Sequence, residues 1–255
     1  MRRSVCPVKV VILQPGYLPW LGFFEQMYRC DLFIIYDDVQ YTKKDWRNRN
    51  YIKTRDGRMR LTVPVLTKGK YHQKIRDARI DYTQNWKHKH LKNIKAWYEK
   101  APYFDAYYSD LAKIYDKNRT FLIDLNMEIV FWLCNSLGLQ RKTMFSSSLN
   151  VTSTDKQNRI LEICHKVKAD FLYDGHLARH FIQPGRFDDG GVTVQFQDYH
   201  HPYYHQLWLK EQGFIEKLSV LDLVFNHGPD SLAILTGDMV VSRPDLLRFR
   251  EETTV

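Results

Sequence analysis

Cysteines are few and widely separated in this 255-residue sequence, and none of them forms a C-x-x-C pair. This spacing excludes the disulfide framework of a small secreted domain, and it provides no thiol-rich zinc or redox motif. Each cysteine lies in or beside an apolar segment, so we expect reduced, small core residues in a cytoplasmic protein. The four are Cys6, Cys30, Cys134 and Cys164.

Long apolar runs are also absent, since no stretch approaches the roughly 18 residues that a transmembrane helix needs. After Met1-Arg2-Arg3 there is only a short apolar run that ends at Pro15, so we expect neither a signal peptide nor a membrane span. No five consecutive residues are Lys or Arg, which disfavours a polybasic tail for nucleic acid.

Several catalytic motifs are missing as well. The sequence contains no G-x-S-x-G, no P-loop and no G-x-G-x-x-G, which disfavours serine-triad hydrolysis, P-loop phosphoryl transfer and ordinary nicotinamide binding. His176 and His180 are four residues apart, and residues 200–205 contain three further histidines, but neither group has an H-E-x-x-H pattern. We therefore expect no metal site, and the sequence assigns no cofactor.

The charge balance is basic, because 38 Lys and Arg against 29 Asp and Glu give a formal net charge of +9. Basic residues are densest between Lys43 and Lys100. One interpretation is an anionic small-molecule partner such as a nucleotide sugar, and the other is scattered charge that only aids solubility. With 44% hydrophobic and 26% charged residues, the chain has the composition of a folded protein.

Residues 8–53 carry the clearest pattern. Two short apolar runs, at 8–13 and 32–36, each stop at a polar cluster, and an apolar-rich stretch of helical length separates them. This pattern predicts a strand, a crossover helix from about Tyr17 to Tyr28, and a second, parallel strand. In such units ligands bind beyond the carboxyl ends of the strands, which is where both clusters lie.

The remaining patterns predict a single α/β domain over residues 1–255, Rossmann-like, with a mainly parallel central sheet. Helical spacing of apolar residues over 84–140 predicts a helical insertion, and Gly138 is placed to end its last helix. Strand patterns occur on both sides of this insertion. The predicted strands are 59–65 after a turn at Asp56-Gly57, a weaker one at 75–80, and two more at 171–173 and 192–196.

Two later helices are predicted from capping and apolar patterns. Thr154 with Gln157 resembles a capping box that starts the first, and residues 218–225 start the second. The polar tail after Arg248 is expected to fray.

The first polar cluster would open the crossover helix. Free N–H groups at a helix start attract an anion, and Gly16 allows the backbone to approach it closely. Gln14 can both donate and accept hydrogen bonds to a sugar or a base, and Tyr17 and Trp20 offer aromatic faces. The alternative is a proline-rigidified turn with no ligand.

The second polar cluster places adjacent carboxylates, Asp37 and Asp38, at the end of a strand. On an extended backbone the two point to opposite sides, so at most one faces a reacting centre. The possible roles are general base, metal ligand or hydroxyl clamp, and Gln40 follows closely as a further candidate for substrate binding. The alternative is a pair of carboxylates tied to nearby Arg and Lys side chains.

A third cluster mixes an indole, amides and guanidinium groups, which together suit a nucleotide or a phosphate. If the segment is extended, Trp46, Asn48 and Asn50 share one face. Arg47 and Arg49 then share the other face. A solvated basic face is the alternative. Ser147 lies in a serine triplet that is either a phosphate-binding turn or a plain loop.

These segments resemble the WbqC-like family. The specific match is the block from Gln14 to Lys53, which contains QPGYLPWLGFF and DLFIIYDDVQYTKKDWRNRNYIK. Softer matches, such as KAPYF, SSSL, GVTVQF and LSVLDLVFNHG, extend over nearly the whole chain. The resemblance implies a cytoplasmic accessory enzyme of bacterial surface-polysaccharide assembly that transfers an acyl or aminoacyl group to a nucleotide-linked or activated amino sugar.

Three functions follow as hypotheses. In the first, a group transferase, Asp37 or Asp38 is the base, Arg49 and the helix start at Gly16 hold phosphate, and an aromatic side chain stacks on base or sugar. The second is a nucleotidyl-transferase-like enzyme, although residues 14–20 lack the paired histidines of such enzymes. The third is a nonenzymatic module that binds polysaccharide or nucleic acid, for which converging carboxylates are unfavourable.

Overall fold

A five-stranded parallel sheet forms the centre of the computed structural model, which describes residues 6–242. Its strand order is β5-β2-β1-β6-β7, and a separate antiparallel hairpin is formed by β3 and β4. The expected α/β, Rossmann-like fold with a mainly parallel sheet is confirmed. The strands of the described residues are β1 (Lys9–Leu13), β2 (Leu32–Ile35), β3 (Arg49–Thr54), β4 (Gly57–Thr62), β5 (Lys142–Phe145), β6 (Phe171–Asp174) and β7 (Thr193–Phe196).

Helices cover both faces of this sheet. The α-helices are α1 (Leu21–Arg29), α2 (Trp86–Tyr98), α3 (Phe104–Asp116), α4 (Leu122–Leu137), α5 (Lys156–Lys166), α6 (Pro184–Asp189), α7 (Leu209–Gln212), α8 (Val220–His227) and α9 (Ser231–Thr236). Val11 and Phe33 pack in the core on the side of α1 and α4, whereas Val10 and Leu32 pack with α5 and α6. Alternate residues thus enter opposite cores, which is why β1 and β2 are continuously apolar. None of the helices within residues 6–242 is long and apolar enough to cross a membrane.

The strand order reverses at β1. From β1 the chain proceeds to β2 and then β5 on one side, whereas β6 and β7 lie on the other side. In open parallel sheets, the crevice at this switch point, beyond the carboxyl ends of the strands, is the usual place for a ligand. The fold therefore predicts a ligand site at the carboxyl ends of β1 and β6.

Several expected elements differ in detail from those observed. The weak strand expected at 75–80 is a short 3₁₀ helix at Ile75–Asp77, because Ala78 N–H bonds back to Ile75 C=O. The N-cap of α5 is Asp155, whose side chain accepts the N–H of Asn158, so the expected capping box at Thr154 was displaced by one residue. The crossover helix α1 begins only at Leu21, after its prolines.

Other expectations have clear outcomes. Gly138 ends α4 with a left-handed φ of +68°, as its position predicted. Cys30, Cys134 and Cys164 are buried free thiols, and burial raises their pKa values to about 12, but Cys6 is exposed and is not a core residue. The tail after Arg248 lies outside the described residues.

Candidate functional site

The strands β1 and β2 end side by side at the carboxyl edge of the sheet. Leu13 pairs with Ile35, and the N–H of Tyr36 donates to the Leu13 carbonyl at 2.7 Å. The polar residues that follow, Gln14 after β1 and Asp37 after β2, therefore start from neighbouring positions on one edge. This edge is the candidate functional site.

Asp37 is buried beneath the end of β5, with only 3% of its surface exposed. Its Oδ1 accepts hydrogen bonds from Ser146 Oγ at 3.0 Å and from Ser147 N at 3.0 Å, and its Oδ2 accepts from Ser147 Oγ at 2.7 Å. The pairing of β5 with β2 brings these serines to the carboxylate. Asp37 and Ser147, both expected site residues, are in direct contact, and the contact fixes the loop after β5.

Asp38 also contacts Ser146 Oγ, so the two carboxylates converge on one hydroxyl and do not point to opposite sides as an extended backbone predicts. The Oδ2 of Asp38 forms an ion pair with the Arg159 guanidinium, and its Oδ1 lies 2.5 Å from Ser146 Oγ, whose single proton is shared between the two carboxylates. Arg159 lies in the first turn of α5, whose first residue is Lys156. At the start of α5 the Asp155 carboxylate accepts the N–H of Asn158 and Asp38 pairs with Arg159, so Lys156 is the cation there that could attract a further anion.

Asp174 completes this edge at the end of β6, beside the switch point of the sheet. Burial raises the pKa of this carboxyl group to about 6, although the hydrogen bond from Gly175 N–H and the positive charge of Lys156 both act to lower it. A carboxyl group of this strength is mostly ionised near pH 7 yet is a much better proton acceptor than a solvated Asp.

Sequence reasoning did not single out Asp174, Lys156 or Arg159. The signal for Asp174 was present, because it follows the short apolar run at 171–173, just as Asp37 follows the run at 32–36. Lys156 and Arg159 had no comparable signal. The residues that they act on, Asp174 and Asp38, are distant from them in the sequence.

The turn after β1 contacts the loop at residues 45–48. Gln14 Oε1 accepts a hydrogen bond from the Arg47 guanidinium, which also pairs with Asp45, and Tyr17 N donates to the Trp46 carbonyl at 3.0 Å. A buried amide in α4 joins the two segments: Asn126 Nδ2 lies 2.8 Å from the Arg47 carbonyl and 3.4 Å from that of Pro15. Gly16 lies in this contact, with the Trp46 carbonyl 3.5 Å from where a Cβ would stand.

Three of the expected substrate-binding residues have buried side chains. Tyr17 is fully buried, and its hydroxyl bonds to Tyr115 and to His90 Nδ1, the latter at 2.8 Å. Asn48 donates to the Val63 carbonyl at 2.8 Å and Asn50 donates to the Leu18 carbonyl at 2.6 Å. These contacts hold loops together and leave the Tyr17 ring without an exposed face.

Trp46, Arg49, Gln40 and Trp20 reach the surface to different degrees. Trp46 is 53% exposed, so it does not share a face with the buried amides of its segment, as an extended chain would require. The chain turns at 43–48 before β3 begins, which separates them. Arg49 is half-buried, and its charge acts on the Tyr41 phenol together with that of Arg47. Gln40 is exposed and donates to the Tyr71 carbonyl at 3.0 Å.

Trp20 caps the start of α1, and its indole lies against Gly22. A Cβ on Gly22 would come within 2.3 Å of the indole ring. We expect Gly22→Ala to destabilise the fold by about 1–3 kcal/mol through overpacking, although Ala is otherwise the better helix former. Thermal unfolding followed by tryptophan fluorescence measures this change.

Gly185→Ala in α6 is the matched control, because nothing lies within 4 Å of a Cβ at that position. It should leave the midpoint unchanged or slightly raised. Equal midpoints for both variants would contradict the packing argument.

Within residues 6–242, no three His, Cys, Asp or Glu side chains are grouped so as to hold a metal ion. His176 and His180 lie in a short 3₁₀ helix after β6, where both are exposed.

Comparison with known proteins gives a family. The model of the WbqC-like protein family matches residues 14–234. The Uncharacterized protein Rv1507c of Mycobacterium tuberculosis is 38% identical over 244 residues, which cover 94% of this chain and 98% of that protein. No solved structure matches the chain. With a family match over most of its length and a relative of this similarity, the chain belongs to the WbqC-like protein family.

Proposed function

We propose that this protein is a group transferase that moves an acyl or aminoacyl group onto a nucleotide-linked or otherwise activated amino sugar in bacterial surface-polysaccharide assembly. The family resemblance supplies the substrate class. The observation that carries the reaction type is Asp174, a half-buried carboxylate with a pKa of about 6 at the switch point, on which the charge of Lys156 at the start of α5 acts. A base and an anion-binding group at one edge suit an acceptor that carries phosphate.

The chemistry requires one proton acceptor. The sugar amine attacks the carbonyl carbon of an activated acyl donor such as a thioester, the new C–N bond forms, and the bond to the leaving group breaks. Asp174 accepts the proton that the amine nitrogen loses and passes it to the leaving thiolate, so the free thiol is released and the carboxylate is regenerated. General-base catalysis of this kind contributes about 10²–10⁴-fold to the rate.

The carboxylates expected to be the base, Asp37 and Asp38, have their oxygens occupied by serine and arginine donors. Either would have to give up these bonds before accepting a proton. We assign them to positioning, with Asp37 holding Ser147 and Asp38 holding Arg159 in place. This division leaves Asp174, whose bond to a described residue comes from Gly175 N–H, as the proposed catalytic base.

Phosphate and base contacts fall to the cations and the exposed indole. Lys156 at the start of α5 and Arg49 at the start of β3 are the proposed partners of a diphosphate, since Arg159 already bonds to Asp38 and to the carbonyls of Val151 and Ser153. Trp46 offers an exposed ring for stacking on the nucleobase.

The direct test incubates the protein with UDP- and dTDP-linked amino sugars and a panel of acyl-CoA and aminoacyl donors. Mass spectrometry should detect the donor's acyl mass on the sugar, with release of the free donor thiol. A parallel reaction with nucleoside triphosphates and sugar phosphates, read by pyrophosphate release, tests nucleotidyl transfer. Pyrophosphate release without acylated sugar would contradict the proposal.

A further inference from the structure

A second polar group lies on the α1 side of the sheet, whereas Arg159 lies on the α5 side. It joins side chains of α1 with residues at the ends of β6 and β7. Gln26 donates from Nε2 to Gln197 Oε1 at 3.1 Å, and Gln197 donates from its own Nε2 to Glu25 Oε2 at 2.6 Å. A Cβ on Gly175 would lie 3.6 Å from Gln26 Nε2, so the end of β6 closes directly on this amide.

Two polar atoms of this group are buried and unpartnered within the described residues: Gln26 Oε1 and the Tyr199 hydroxyl. Only 4% of the surface of Gln26 is exposed. The negative charge of Glu25 acts on Tyr199, and the Tyr199 and Trp20 ring centres are 5.7 Å apart, which places Tyr199 beside α1. Ten buried side-chain atoms within residues 6–242 lack a hydrogen-bond partner, and these two lie in one group, where a single ligand could supply partners for both.

The unpartnered atoms are neutral. The Glu25 carboxylate, the charged member of the group, already accepts from Arg29 Nε at 3.1 Å, from the Tyr173 hydroxyl at 3.1 Å and from Gln197. A phosphate would call for free cations. An amide oxygen that accepts and a phenol that can donate match a hydroxyl or an amine.

An aromatic wall accompanies these polar atoms. The rings of Trp20 and Tyr199 are half-exposed and meet edge to face. A sugar ring has apolar C–H faces and a rim of hydroxyl groups, so it fits an aromatic wall with neutral hydrogen-bonding groups beside it.

We propose that Gln26 and Tyr199 form the subsite for the sugar ring, with Gln26 Oε1 accepting from a sugar hydroxyl or amine and the Tyr199 hydroxyl donating to a sugar oxygen. This inference rests on the proposed function and adds the location of the sugar. The diphosphate then lies toward α5, and the sugar lies between it and α1.

Tyr199→Phe tests this subsite with little risk to the fold. The hydroxyl has no described partner, so its removal should leave the thermal midpoint unchanged or raised. Binding by isothermal titration to UDP-glucose, UDP-N-acetylglucosamine and dTDP-glucose should weaken by about tenfold, the loss of one hydrogen bond. Binding to UDP and dTDP, which lack the sugar, should be unchanged. Gln26→Met should show the same selective loss.

Tyr28→Phe is the matched control, since Tyr28 is two residues beyond Gln26 and lies on a different face of α1, where Arg29 and Arg141 pack on its ring. It should bind all ligands as the wild type does. Nucleotide sugars that bind both Tyr199→Phe and Gln26→Met with wild-type affinity would overturn the subsite and leave the proposed function standing. A wild-type protein that binds none of the nucleotides or nucleotide sugars would overturn both.

Discussion

Asp174→Asn should reduce acyl transfer by about 10²–10⁴-fold, because an amide cannot accept the proton that the amine loses. The loss should fall mainly on kcat, since Lys156 and Arg49 still bind the phosphate. Folding should not suffer. Burial raises the folded-state pKa of Asp174 to about 6, so its stabilising contribution is present at low pH and is lost as the pH rises through 6. At pH 8 the thermal midpoint of the variant should equal or exceed that of the wild type.

The same pKa predicts the pH profile of the wild type. Transfer should rise with pH through an inflection near pH 6, as Asp174 loses its proton, and then level off. Asp198→Asn is the matched control, because Asp198 is exposed and lies just beyond the end of β7. The expected loss in kcat is about 10²–10⁴-fold. A folded Asp174→Asn variant whose kcat stays within about threefold of the wild-type value would therefore exclude Asp174 as the base.

Asp222→Ala should have the largest effect on stability, with a loss of about 3–5 kcal/mol. Asp222 is fully buried in α8, and its carboxylate accepts from the hydroxyls of Tyr98 at 2.8 Å and Tyr204 at 2.9 Å. It also opposes the buried charge of Lys53, whose pKa burial lowers to about 8. Alanine would leave two buried hydroxyls without an acceptor and this ammonium without its counter-charge. Urea or thermal unfolding measures the loss.

Asp222→Asn separates the charge from the hydrogen bonds. It keeps one acceptor oxygen, so its loss of stability should be smaller than that of alanine. Burial raises the pKa of Asp222 to about 6, so the wild type should lose stability as the pH rises through 6, a dependence the Asn variant should lack. Identical unfolding free energies for wild type and Asp222→Ala at pH 7 would contradict this account of the buried network.

The central fold was predictable where a strand is buried on both faces. The runs that became β1 and β2 are continuously apolar and end at polar residues, so periodicity and breaks located both. The edge strand β5 was not predicted, because its side chains are exposed or half-buried and carry no apolar run. Its absence from the prediction hid the reason why Asp37 meets Ser147.

Only those site residues that a local sequence pattern marks were predictable. The rule that polar residues follow buried strands located Gln14, Asp37 and Asp38, and the same rule applied to β6 would have located Asp174. The contact between Arg159 and Asp38 joins residues 121 positions apart, which no local pattern encodes. Burial also decided the roles of Tyr17 and Asn50, whose polar groups read equally well as ligand contacts or as internal hydrogen bonds.

Through Asn126, the helices between β4 and β5 hold two loops of the candidate site in place. One fully buried amide on α4 carries both the turn after β1 and the loop before β3. A shortened version of the protein that omitted α4 would release both segments together and disconnect Arg47 from Gln14. Any minimal engineered form therefore has to retain this helix as a strut, even though it lies outside the central sheet.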